Sequence, residues 1–202
     1  MSSFRLDKYL VTVSRFRQFV AAWNGGGGYL PAAGSGIHTH VNGGHGLADS
    51  SSSGTYEAGW LASDDSNVTP TDTNLACSAP YDSWTSAPGA NEALPIDCVT
   101  WPEAYAFCIW DGGFLPSKTE GEYAAAGGNE QRVFPWGTAI PACPGSGCQY
   151  AISSCNSPAA CTSFPGVAPV GTATLGVGRW GQLDLGGEVI EWSTDTAAVS
   201  SS

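Results

Sequence analysis

Residues 29–96 constrain this chain more than any other stretch. The segment is rich in Gly, Ser, Asn, Asp and Pro, and no apolar period of 3.6 residues persists along it, so about a third of the 202 residues is barred from long helices. It also carries Tyr56, Trp60, Tyr81 and Trp84, too many aromatics for a disordered linker. A long ordered excursion is therefore expected, with mobile parts around Ala48 to Gly54.

The whole composition points the same way. Only 12% of residues are charged, and 27 Gly with 13 Pro favour irregular backbone. Eight Trp, seven Tyr and seven Phe supply the buried surface that aliphatic helices would otherwise provide. The expectation is one domain over residues 1–202, α+β with low regular secondary structure, with the 29–96 insertion inside it.

Three helices stand out. Ser14 to Trp23 places Phe16, Phe19, Val20 and Trp23 on one face, and Gly25 to Gly28 should end it. In "DCVTWPEAYAFCIWDGG", Thr100 and Glu103 have capping-box spacing, Pro102 fits the first turn, and Trp101, Ala104, Tyr105 and Cys108 share a face before Gly112 and Gly113. In "LPSKTEGEYAAAGG", Ser117 and Glu120 repeat the box and predict a short helix to Ala126. "RVFPWG" reads as a brief strand entering a turn; "VAPVGTATL" and "GEVIEW" read as short extended pieces.

The formal charge of −11 argues against a nucleic-acid partner, since four of the seven bases (Arg5, Lys8, Arg15, Arg17) fall within the first 17 residues. No signal peptide and no membrane span are read in this chain. Four of the seven cysteines, Cys143, Cys148, Cys155 and Cys161, crowd one Pro/Gly/Ser-rich loop. Their spacings are wide for zinc knuckles, so disulfides are favoured over a four-cysteine zinc site, and with them an oxidising compartment. His38, His40 and His45 could in type bind a transition metal, but no scaffold fixing them is evident, and loop histidines are the favoured reading.

"GQLDLGGEVIEW", residues 181–192, sets three carboxylates among three glycines. Solvated loop acids are one reading. A hard cation is the other: Ca²⁺ takes six to eight oxygens at about 2.3–2.6 Å, and glycines let carbonyls converge beside carboxylates.

Several motifs together resemble the formylglycine-generating enzyme, or sulfatase-modifying factor, domain family. "FRLDKYLVTVSRFRQFV" is similar to its opening strand and helix, "LPIDCVTWPEAYAFCIWDGGFLPSKTEGEYAAAGG" to its central two-helix block, and "FPWG" and "GRWGQLDLGGEVIEW" to later signatures. The resemblance runs from Phe4 to Asp195 and implies a compact, C-type-lectin-like fold. It also implies a structural calcium held by the side chains of Asp184 and Glu191 and the carbonyls of Gly187 and Val189.

The family's activity is the oxidation of a cysteine in a substrate protein to formylglycine, with oxygen and a copper-binding cysteine pair. That pair lies beyond an "RGGSW"-like segment with no counterpart here, so copper is not expected and the chain reads as a domain lacking its catalytic C-terminal segment. Cys108 matches a position that in some relatives is disulfide-bonded to a cysteine of that segment; a small buried hydrophobe is the other reading. Phe114, Lys118 and Gly121 stand where the family has Arg, Glu and Trp, Glu188 and Ile190 depart from "GNVWEW", and Ala151-Ile152 replaces the Ala-Asn of a second calcium site, which is not carried over. The implied partner is a protein or peptide substrate or ligand. The alternative is a non-catalytic lectin-like binding module, with Tyr56, Trp60, Tyr81 and Trp84 as its contact patch.

Overall fold

The computed structural model describes residues 3–138, 150–152 and 166–195. Helix α1 (Val13–Trp23) starts at Thr12, whose hydroxyl accepts from Arg15 N at 3.2 Å. It ends one residue before the glycines, at Asn24 in the left-handed conformation (φ 47°), a position Asn tolerates. Phe16, Phe19 and Trp23 are buried, as the spacing predicts.

Helices α2 (Trp101–Trp110) and α3 (Lys118–Ala125) both carry complete capping boxes. Glu103 accepts from Thr100 N at 2.8 Å, and Glu120 from Ser117 N at 2.8 Å. The face expected for α2 needs correcting. Glu103, Ala106 and Phe107 are as buried as Tyr105, because this helix lies in the middle of the molecule and is covered all round. Rings of α1 pack on it, with Phe16 and Phe19 at 5.4 and 6.0 Å from Phe107.

The 29–96 segment supplies the other side of this core. Trp60, Val68, Leu75 and Trp84 are buried with the helices, and Trp60 lies 5.7 Å from the Tyr105 ring. Its backbone is closed by cross-loop bonds: Gly34 N donates to Trp60 O and Trp60 N to Ser35 O, both at 2.8 Å. At Gly59 a Cβ would lie 2.6 Å from the Gly34 carbonyl, so only glycine admits this approach. The segment is built on short 3₁₀ turns and aromatic anchors. A disulfide between Cys77 and Cys98 ties it to the entry of α2. The cluster Cys143, Cys148, Cys155 and Cys161 lies outside the described residues.

Pairing of extended backbone is reduced, among the described residues, to isolated bridges such as Thr12 with Pro95 and Ile152 with Gly187. "RVFPWG" is correspondingly a tight turn in which Phe134 and Gly137 bond each other, rather than a strand. Side chains and single carbonyls do the joining that a sheet would do. Leu183 N donates to Lys8 O, Trp101 Nε1 to Ser193 O, and Trp192 Nε1 to Val99 O, at 2.8 to 2.9 Å. Asp195 accepts from Lys118 N at the start of α3. These bonds set Leu183 beside Lys8 and lay residues 192–195 against the starts of α2 and α3. No helix among the described residues is long and apolar enough to cross a membrane.

Candidate metal centre

The acidic glycine turn has an unusual backbone. Asp184 (φ 62°), Gly187 (φ 87°) and Glu188 (φ 67°) all lie in the left-handed region, which non-glycine residues enter at a cost. Gly187 is fixed by its neighbour: a Cβ there would sit 2.1 Å from Ile152 O, the same carbonyl that accepts from Glu188 N at 2.6 Å. Ile152 thus has a backbone role at this turn.

The turn aims carboxylates inward. Asp184 is 4% exposed; its Oδ2 accepts from Gly171 N at 2.6 Å, while Oδ1 is buried without a hydrogen-bond partner. Glu188 repeats the pattern, with Oε1 accepting from Ala168 N at 2.9 Å and Oε2 buried and unpartnered. Burial raises the Asp184 pKa against the pull of the Gly171 N–H. Burial also pushes Glu188 up to about 7, opposed by the Ala168 N–H and assisted by the negative charge of Asp184. Burial of the carboxyl and then the charge of Asp184 raise Glu191, although the residue as a whole is exposed at the surface, so the repulsion by Asp184 is the firmer cause.

Of the four sequence-predicted ligands, Asp184 and Glu191 are brought within electrostatic reach of each other. Gly187 O already accepts from Val189 N at 3.0 Å, leaving one lone pair for another donor or an ion. The sequence reading missed Glu188 as a site residue. It counted there only as a departure from a motif, and its sole signal was a third carboxylate directly after the glycine pair. Orphaned buried oxygens, with repulsion among three acids, are a donor set suited to a hard cation. They are not collapsed onto one point. Among the described residues only Cys77, Asp97 and Cys98 bring three side-chain ligand atoms within 4.8 Å of one another, and the disulfide occupies two of those.

Two of the three histidines differ from the expected loop histidines without a fixing scaffold, while His45 is exposed in its loop. His38 is fully buried, 2.9 Å from Glu57 and 3.2 Å from Glu120, and His40 lies 2.8 Å from Glu120. The fixing scaffold comes from carboxylates far away in sequence, which no local pattern reveals. Nor do the four aromatics form one patch: Trp60 and Trp84 are core, and only Tyr56 and Tyr81 reach solvent, at 41% and 50%. Cys108 lies on α2 with its thiol free, and burial pushes it up to about 12, so it is protonated and unreactive at neutral pH. An open cleft of about 510 Å³ lies elsewhere, between Leu6, Lys8, Val177, Trp180 and Leu183.

The fold is mixed and weakly regular around a buried two-helix block, with the acidic turn held by Gly171, Ala168 and Ile152. The family model described as "Sulfatase-modifying factor enzyme 1-like domain" matches residues 1–201, and the chain belongs to that family. It is 29% identical to the formylglycine-generating enzyme of Thermomonospora curvata over 203 aligned residues, covering 96% of this chain and 60% of that protein. It is 35% identical to the mouse formylglycine-generating enzyme over 105 residues, or 50% of this chain and 27% of the relative. A mouse protein named inactive C-alpha-formylglycine-generating enzyme 2 is also 35% identical, over 51% of this chain and 32% of its own length. The chain thus spans between about a quarter and three fifths of the length of these relatives.

Proposed function

We propose that these 202 residues form a calcium-stabilised, C-type-lectin-like scaffold of the formylglycine-generating type, and that this stretch does not itself oxidise a cysteine. Calcium is the ion that suits the donor set, being a hard cation satisfied by carboxylates, carbonyls and water. Asp184 and Glu191, with the carbonyls of Gly187 and Val189, are the proposed ligands, and Glu188 joins them. The observation that carries the reading is the pair of buried, unpartnered oxygens, Asp184 Oδ1 and Glu188 Oε2, with Asp184 repelling both Glu188 and Glu191. Such a group is costly to bury unless a cation completes it.

The non-catalytic part rests on the cysteines. None follows Cys161 in the sequence, and the described free thiol, Cys108, is buried and held protonated. A relative whose name marks it as inactive supports the same reading. A protein or peptide remains the proposed partner, and the disulfide between Cys77 and Cys98 supports an oxidising compartment. Two measurements test the proposal. Calcium should raise the melting temperature of the chain, and a peptide bearing C-x-P-x-R should acquire no aldehyde. Melting unaffected by millimolar calcium would refute the ion, and aldehyde formation would refute the loss of chemistry.

A further inference from the structure

We propose that His38, as an imidazolium bridging Glu57 and Glu120, is a pH-operated latch that holds the 36–59 loop against α3 and releases it when the ring loses its proton. The inference rests on a joint remote from the acidic turn and is independent of the calcium reading.

Glu57 is the hub of the loop. Its Oε1 accepts from His38 N at 2.6 Å and from Leu47 N at 2.9 Å, and its two oxygens lie 3.0 and 2.9 Å from His38 Nδ1. Glu120 belongs to the other body. Its Oε2 caps α3 through Ser117 N and Oγ, both at 2.8 Å, and lies 3.2 Å from His38 Nε2. One imidazole thus touches a carboxylate on each ring nitrogen, with no exposure to water. A neutral imidazole has a single N–H. Whichever nitrogen keeps it, the other presents a lone pair to a carboxylate, and only the protonated ring satisfies both.

The surroundings make the joint depend on charge. His38 Nε2 and His40 Nε2 lie 3.2 and 2.8 Å from Glu120 but outside hydrogen-bond geometry, so His38 meets Glu120 through charge rather than through an aligned hydrogen bond. Phe114 closes the site, its ring 4.4 Å from His38 and 5.2 Å from His40. The other ionisable groups at the joint are His40 itself and Tyr105 of α2. Burial, then the charge of Glu57, pushes Tyr105 up to about 12, so it stays neutral while the latch works. Among the described residues no Lys or Arg pairs with Glu57 or Glu120. Nor do the histidines and Glu120 offer three ligand atoms within reach of one ion. The proton is the cation of this joint.

Burial alone would lower the His38 pKa, but its close contacts with Glu120 and Glu57 and their charges reverse that, and the net shift is upward. Burial alone would raise Glu120, but His38 and Ser117 hold it at about 2. A histidine raised in the fold contributes stability fully below its unfolded value of about 6.5 and loses it as pH rises through the folded value. The lowered Glu120 contributes above its unfolded value of about 4.3 and fails only in strong acid. The latch is therefore closed in mild acid and opens as pH rises through the folded value of His38, where deprotonation leaves one of the two buried carboxylates facing a lone pair.

The test pairs NMR titration of the His38 ring with hydrogen-exchange protection factors for amides 36–59, between about pH 6 and 9. Protection in the loop should fall at least about tenfold on the same midpoint as the ring, above about 6.5, while α1 amides stay constant. His38→Gln should abolish the step, and Glu57→Gln should move the midpoint down. Flat loop protection while the ring titrates, a step that survives His38→Gln, or a ring midpoint below about 6.5 would overturn the proposal. Should His38→Gln not fold, Glu57→Gln decides alone: an unmoved midpoint overturns it.

Discussion

Glu188 concentrates the chemistry of the acidic turn in one residue. It occupies a left-handed backbone position, donates its N–H to Ile152, accepts from Ala168 N, and leaves one buried oxygen unmatched beside Asp184. Its carboxyl is raised to about 7, so the folded chain prefers it protonated. Stability from this group is fully present below its unfolded pKa of about 4.3 and is lost as pH rises through its folded value. Without added calcium, Glu188→Gln should therefore remove a downward step in stability across that window. Because the side chain is partly exposed, the gain expected at neutral to alkaline pH is about 1 kcal/mol, or roughly 2–4 °C in melting temperature. With saturating calcium the same variant should be the less stable one, having lost a charged oxygen. A stability difference of one sign in both conditions, measured by calorimetry with chelator and with calcium, would remove Glu188 from the site.

At the scale of elements, the helices were the legible part, because their signals are local. Thr100 with Glu103 and Ser117 with Glu120 are spaced by the capping geometry itself, and both boxes form. What could not be read was which sides of α2 are covered, since that depends on Trp60 and its neighbours returning from a distant loop. The acidic turn was half legible. Asp184 and Glu191 stand out as acids beside glycines, whereas Glu188 gains its role from Ala168 and Ile152, outside its own segment. Glu120 shows both limits at once, being a local cap whose second partner, His38, lies 82 residues back along the chain.

Helix α3 also offers a test of propensity. Gly121 sits in its interior, has ordinary helical φ, and a Cβ there would meet nothing within 4 Å. The space next to the backbone is open, so a methyl group fits there without a clash. Gly121→Ala should stabilise the chain by about 0.5–1 kcal/mol, mainly by restricting the unfolded state. Chemical denaturation should show a higher midpoint with an unchanged slope. A lower midpoint would mean that an unseen neighbour uses this space.

Among the described residues, few regular ladders leave covalent and side-chain ties to supplement the packed core. The Cys77–Cys98 bridge closes 21 residues between the insertion and α2, and its removal by a paired Cys→Ser substitution should cost about 2–4 kcal/mol. The acidic turn ties residues 184–191 to Gly171, Ala168 and Ile152, and its three raised carboxyls couple that tie to protons. A metal ion binds carboxylates in their ionised form, so calcium must displace whatever protons the raised groups hold. Apparent calcium affinity should rise with pH until Glu188 is ionised, near 7, and level off above it. Adding calcium to a weakly buffered sample near pH 6 should release protons, and near pH 9 release almost none, by the same linkage. Asp184→Asn should abolish both the affinity and the proton release while leaving Cys77–Cys98 and the helices intact. Solvated loop acids behave otherwise: with ordinary pKa values they are ionised throughout that range, and calcium affinity would be flat from about pH 6 to 9.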